Sequence, residues 1–528
     1  MFKIKSLLSD KILLIIILFI SLIVNQFSGN RGVFPVDSFA FFDTGYRVLN
    51  GEFPFKDFWT VSGAFIDYFQ ALLFLILGTN WQVYIFHASF INAIFAISTF
   101  LLLKELKLSS YNSFFYTVCL SILAYPSSGS PFVDHHSAFL SIIGTYCLIF
   151  AYKKEENIFW ILIPFIFGFA FLSKQVPSAY FIIFVTFIIL LNFFLLKGKK
   201  NLKIITLLIS SSFSFIILVL FIFFLNKVNI NQFLDQYLLY PLSIGDSRFS
   251  TYKINFENFF IKYKFVHLVF LPYLVINIKK IINFKKYYQQ FNFTVFLIFV
   301  FSVITLISHQ ILTKNQNFIF FLIPLLAALS HIEIKSLSHR LKKILTYLLI
   351  GITIFSTIKY HQRFNLERKF HELNYVDFKN VVDAKIIHKK FSGLNWITPN
   401  SSDKEKNLKE INNIIKTQAY LKKDKRRKVV ISNYAFLSII LNESTKAPNR
   451  WYPMDGTGFP LPGNKFFSNY KNFFINILKN NHIEVIFVSK DIEKDIVLNY
   501  LNKDCFEQKQ TNSYLIEFIL NKNCKDLK

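Results

Sequence analysis

Cysteine is scarce in this chain, with four among 528 residues and no CxxC pair. No HExxH phrase occurs, and no carboxylate cluster stands at metal-ligand spacing, so no metal and no cofactor is expected. There is no Gly-rich phosphate loop, which argues against a nucleotide as the direct donor or ligand. Acidic residues are few, 32 Asp and Glu against 59 Lys and Arg, giving a net charge of +27. Such an excess often marks a nucleic-acid binder, yet the lysines form short clusters between apolar runs. There is no basic helix and no aromatic RNA platform, so nucleic acid is excluded as a partner. Topology and anionic lipid account for the charge. No internal repeat of the kind that builds many transporters is visible.

What the chain has in quantity is apolar surface: 53% hydrophobic residues, 67 of them Phe, with a mean hydropathy of +0.40. Most of it therefore belongs in a lipid bilayer. The first run, from about Ile12 to Phe27, follows Lys3, Lys5 and Lys11 and is not followed by a small-residue cleavage site, so it reads as a retained span. Further runs near 82–103, 110–126, 135–152, 157–173, 177–196, 204–226, 264–278, 291–312, 316–333 and 342–358 bring the expected number to about eleven, of which 110–126 and 264–278 are short for the roughly 20 residues a span needs.

The run Phe65–Gly78, short and carrying Asp67 and Gln70, decides the parity. If it lies flat at the interface, all the basic clusters share a side with the N-terminus: Lys104/Lys107, Lys153/Lys154, Lys197/Lys199/Lys200/Lys203, Lys279/Lys280/Lys285/Lys286 and Lys335/Arg340/Lys342/Lys343. The positive-inside rule selects that arrangement. The expected setting is thus a bacterial inner (plasma) membrane, multi-pass, with a cytoplasmic N-terminus. On the outer face stand the three aspartates Asp37, Asp43 and Asp57, the loop Tyr125–Asp134 with His135 and His136, Lys174 and Gln175. The loop 227–263 with Asp235, Tyr240, Asp246 and Arg248, the group His309 to Gln316, and everything after about 359 lie there too.

The pattern changes near 360, and two domains are expected: a transmembrane domain over 1–360, with its first outer loop at 28–80, and an extracytoplasmic α/β domain over 361–528. Short apolar runs at Lys428–Ser432, Ile483–Ser489 and Tyr514–Leu520 read as buried strands, with helices at Glu405–Leu421 and Asn469–Asn480. The segment 450–463, RWYPMDGTGFPLPG, reads as a long ordered loop, either a lid or an acceptor-recognition element. Cys119 and Cys147 sit in apolar runs and read as packed side chains, whereas Cys505 and Cys524 can pair if that end is extracytoplasmic.

The densest polar and aromatic stretch of the first hundred residues is Arg31–Trp59, RGVFPVDSFAFFDTGYRVLNGEFPFKDFW. Its series Asp37, Tyr46, Gly51-Glu52-Phe53-Pro54-Phe55-Lys56-Asp57-Phe58-Trp59 resembles the first extracytoplasmic loop of GT-C membrane glycosyltransferases. More narrowly, it is similar to the bacterial branch related to protein O-mannosyltransferases and lipid A aminoarabinose transferases. Gly168 to Gln175 (GFAFLSKQ) resembles that branch's Gly-x-Ala-x-Leu-Thr-Lys phrase, and Asn317–Ala328 resembles its late Pro-containing span. The resemblance covers roughly 20–360. It implies a polytopic α-helical GT-C-like fold, interfacial helices in the first outer loop, and sugar transfer from a polyprenyl-phosphate donor to an extracytoplasmic acceptor: lipopolysaccharide, surface glycan or protein. Many relatives carry adjacent Asp-Glu, whereas Asp37 is followed here by Ser38, which leaves open whether Asp37 or Asp43 takes the catalytic place.

That chemistry needs a base for the acceptor hydroxyl, cations for the departing phosphate and an apolar groove for the lipid. Asp37 is the first choice for the base and Asp43 the second. Asp43-Thr44-Gly45 also reads as a turn, and for Asp57 the turn reading is stronger than a substrate contact. Lys174, on the outer side against the positive-inside trend, is the leading phosphate ligand, followed by Arg248 and Lys314. Tyr46, Gln175 and one of His135 or His136 are further substrate contacts. Adjacent helical histidines point about 100° apart and do not share a metal. Two other classes remain open: a transporter or flippase of lipid-linked sugars, and an O-antigen polymerase or ligase. The gathering of polar residues at one face favours an enzyme over the first, and the acidic loop after span one departs from the arginine-rich late loop of the second.

Overall fold

The computed structural model describes residues 2–195, 200–250, 252–282, 291–314, 318–401, 403–510, 514–521 and 524, with the backbone alone at 2–8, 195, 200–201 and 246–250. The fold is mostly helical. In the first half the helices are α1 (Phe2–Gly29), α2 (Pro35–Ser38), α3 (Ala40–Leu49), α4 (Ala64–Leu77), α5 (Trp81–Glu105), α6 (Ser110–Leu123), α7 (Val133–Lys154), α8 (Asn157–Ser173), α9 (Gln175–Leu195) and α10 (Lys200–Leu225). Long helices follow at Lys264–Ile282, Phe291–Leu312, Leu322–Glu333 and His339–Tyr360.

Among the described residues, eight helical segments are long and apolar enough to cross a bilayer, and Ala64–Leu77 and Asn157–Ser173 are shorter apolar helices. The chain is therefore a multi-pass membrane protein by composition and length. The difference from about eleven expected spans lies in three helices. Helix α6 has 14 residues and α8 has 17, short of the roughly 20 that span hydrocarbon. Helix α7 has 22 residues but carries Asp134, two histidines and several hydroxyls. The basic residues at 197, 199, 285 and 286, and Gln316, lie outside the described residues.

The residues fall into two compact units. The first comprises Met1–Gly29, Ile85–Leu220 and Thr251–Phe370. Its helices pack through rings such as Phe95, Phe139 and Phe321, and through buried amides. Asn25 donates to Ser89 Oγ (3.0 Å) and Gly129 O (3.1 Å), and Asn92 donates to Ser21 O (3.2 Å) and Ser121 O (3.0 Å). Such bonds hold helices together where no hydrophobic gradient does so. Outward faces are apolar; in Leu202–Leu225 only 11% of the apolar window is buried.

The second unit comprises Asn30–Tyr84, Phe221–Ser250 and His371–Lys528, so the segment after α1 folds with the C-terminal third. Its larger sheet has the order β3-β4-β6-β5: β3 (Lys428–Ile431) runs parallel to β4 (Val485–Ser489), and β6 (Leu515–Leu520) is antiparallel to both β4 and β5 (Phe506–Gln510). A two-residue pair, β1 (Val382–Asp383) with β2 (Asn395–Trp396), precedes it. Strands β3 and β4 are buried along their whole length, as parallel strands require. The helices Lys404–Lys423 and Phe467–Asn480 add Ile411, Ile414 and Leu421, and Phe473, Phe474 and Ile477, to the buried set. Asp403 caps the first of them on Lys406 N at 2.8 Å. Cys505 and Cys524 form a disulfide; Cys119 and Cys147 are free and buried.

Candidate functional site

Two buried polar constellations stand out, one in each unit. In the second unit the centre is α3, of which nine residues, Ala40 to Val48, are buried. Helical spacing puts Asp43 and Arg47 on one face, 4.0 Å apart. The turn at Gly51 (φ +84°) returns the chain so that Glu52 meets Arg47 Nε at 2.7 Å. Arg47 also donates to Ala447 O (2.7 Å) and Asp57 O (3.2 Å), while Lys446 Nζ reaches the other Glu52 oxygen at 2.7 Å. The Ser444 hydroxyl donates to Glu52, and that of Ser438 to Asp43. Nearby on α4, buried Asp67 pairs with buried Arg450, whose guanidinium also donates to Ser62 O.

The two acids of this network titrate in opposite directions. Burial would raise Glu52, but Arg47 and Lys446 outweigh it and hold the carboxyl at about 2. Burial pushes Asp43 up to about 6, because Arg47 stands too far off, and is too occupied with Glu52, to offset it fully. Asp43 lines a cavity of about 10 Å³ together with Ser432, Tyr434, Thr445, Asn449 and Tyr452. That is room for about one water, hence for one hydroxyl oxygen.

In the first unit the N-terminal turn of α7 holds the second constellation. Lys174 caps α8 and places Nζ 2.8 Å from both carboxylate oxygens of Asp134. His309 Nε2 lies 3.0 Å from Asp134 Oδ1, and both of these side chains are fully buried. Lys174 thus faces a carboxylate of its own chain. His135 and His136 turn to different partners, as adjacent helical residues must. His135 Nε2 meets Ser127 Oγ at 2.9 Å; His136 meets the Tyr125 hydroxyl and, at 2.9 Å, His87 Nε2.

The remaining candidates are dispersed. Asp37 sits half-exposed on the single turn α2 and does not line the Asp43 cavity. Asp57 accepts the Phe53 amide at 2.8 Å, the turn role weighed for it. The Tyr46 hydroxyl donates to Asn442 Oδ1 at 3.2 Å. Gln175 opens α9, half-buried, and Lys314 is exposed just past the helix Phe291–Leu312. Arg248 lies in the helix Tyr240–Ser250, its side chain outside the described residues. Sequence reasoning gave no individual site role to Arg47, Ser438, Arg450, Asp134 or His309. The i,i+4 spacing of Asp43 and Arg47 in an otherwise aromatic stretch is the signal that leads to the first of these. Compared with known proteins, the chain matches no family model and no curated sequence.

Proposed function

We propose that this protein transfers a sugar from a polyprenyl-phosphate donor to an acceptor hydroxyl outside the cytoplasm, with Asp43 as general base. The supporting observation is that Asp43 is buried, raised to about 6, and lines a cleft the size of one hydroxyl. An ordinary surface aspartate is too weak a base for this work; one with a proton affinity near neutrality is suited to it. Asp43 takes the acceptor proton as the oxygen bonds to the anomeric carbon. The bond from that carbon to the phosphate oxygen breaks, and its electron pair leaves with the polyprenyl phosphate. Arg47, Glu52 and Lys446 fix the position of the Asp43 helix rather than react.

Lys174 keeps the assignment to the donor phosphate that its expected place on the outer side, against the positive-inside trend, gives it. Because its ammonium is shared with Asp134, a phosphate binding there competes with that carboxylate. The Cys505–Cys524 disulfide fits an oxidising compartment for the C-terminal third, with the N-terminus in the cytoplasm.

The test replaces the native chain in cells by Asp43→Asn, Asp37→Asn or Asp57→Asn and reads the envelope glycans by mass spectrometry. Asp43→Asn abolishes one sugar addition, whereas the other two variants retain it. A full glycan in Asp43→Asn cells that hold normal amounts of folded protein overturns the proposal.

A further inference from the structure

The sheet of the second unit ends in a crevice that the sugar-transfer reading does not use. Strands β3 and β4 are parallel, and the chain leaves both at the same edge, through Ser432 and Asn433 after β3 and through Lys490 and Asp491 after β4. Ligands of α/β sheets bind outside the carboxyl ends of such strands, where the departing loops part. A cavity of about 170 Å³ lies there, lined by Glu410 and Asn413 from the helix Lys404–Lys423 and by Tyr434, Lys490, Asp491 and Tyr514. Ser432, Tyr434 and Leu437 line this cavity and the Asp43 cleft alike, so the two share a wall.

The lining is mostly apolar, with a few polar groups set into it. Thr398 Oγ1 (2.7 Å) and the Tyr434 hydroxyl (2.9 Å) both donate to Glu410, whose carboxyl is raised by burial in spite of them. Asn433 Nδ2 holds Asp491 at 2.8 Å, and Lys490 N is tied to Tyr514 O at 3.0 Å, so both loop ends are fixed. Two carboxyls disfavour a phosphate or carboxylate guest, and the volume is below the roughly 300–1,000 Å³ of drug-sized sites. The chemistry that fits both parts of the lining is a single ring with an apolar face, set against Ile414, Leu437 and the tyrosines, and edge hydroxyls that donate to carboxylates and accept from an ammonium or amide.

We propose that this crevice is a monosaccharide subsite that holds one sugar ring of a glycan acceptor beside the Asp43 cleft. It rests on the reading of the chain as a sugar transferase, but its test does not depend on activity. The full chain in lipid nanodiscs is titrated with the methyl glycosides of glucose, galactose, mannose, N-acetylglucosamine and glucosamine, and binding is read by saturation-transfer NMR. At least one glycoside binds the native chain. Glu410→Gln or Asp491→Asn weakens it at least tenfold, and Asp43→Asn leaves it within tenfold of native. Asp491 is exposed and its replacement isosteric, so loss there is not loss of fold. If no glycoside binds, or if both crevice variants bind within tenfold of native, the subsite is overturned. Glycoside binding stands or falls separately from what Asp43→Asn does to glycans in cells.

Discussion

Asp43 and Glu52 are two acids on one arginine, and their opposite shifts make opposite predictions. Folding favours the protonated form of Asp43, so its contribution to stability is full below about pH 4 and is lost as the pH rises through about 6. Transfer needs the ionised form, and its rate rises over the same interval. A pH–rate profile with a midpoint near 6 is the expected outcome; a flat profile between pH 5 and 7 contradicts it. Glu52 is depressed, so its contribution is present above about pH 4.5 and is lost as the pH falls toward 2. Glu52→Gln leaves buried Arg47 short of its close partner and costs about 3–5 kcal/mol at neutral pH, read as a lower unfolding midpoint in detergent. Arg450→Met strands Asp67 by the same logic, and adding Asp67→Asn to it recovers part of the loss.

At the scale of elements, α4 is the informative case. Its 14 residues extend about 21 Å, short of the roughly 30 Å of hydrocarbon, and the interfacial position expected for it predicts a shallow depth in lipid. One face buries Ile66, Asp67, Gln70 and Phe74, while Leu75 and Ile76 are 69% and 66% exposed. A tryptophan at Leu75 is therefore quenched by lipids brominated near the headgroups more strongly than by lipids brominated at the tail ends. Gly45 lets α3 lie against α4, since a Cβ there falls 2.5 Å from Gln70 Cγ; Gly45→Ala costs about 1–3 kcal/mol in the same unfolding measurement. Gly168 of the GFAFLSKQ phrase has a packing role of this kind, against the Phe215 ring on α10. Strands with apolar runs were legible: 428–432, 483–489 and 514–520 each match a strand within about two residues. Strand β5, FEQKQ, was not, because an exposed edge carries polar side chains and no alternation.

For the whole molecule, the multi-pass character could be read from composition, and a reporter fused after residue 528 tests the side: alkaline phosphatase active and a cytoplasmic fluorescent protein dark is the expected pair. What the sequence could not disclose is which segments fold together. Asp43 was visible as a candidate and Asp67 as a polar residue of its helix, but their partners Ser438 and Arg450 lie close to 400 residues downstream, and no local pattern ties residues so far apart. The bond from Arg47 to Ala447, spanning 400 residues, carries a consequence for biosynthesis. At about 5–20 residues per second, the early segment leaves the ribosome roughly 20–80 s before its partners exist. For that interval nascent Asp43 lacks Ser438, Arg47 lacks the Ala447 carbonyl and Asp67 lacks Arg450, and a chain cut short by a premature stop ahead of Ser438 never gains them.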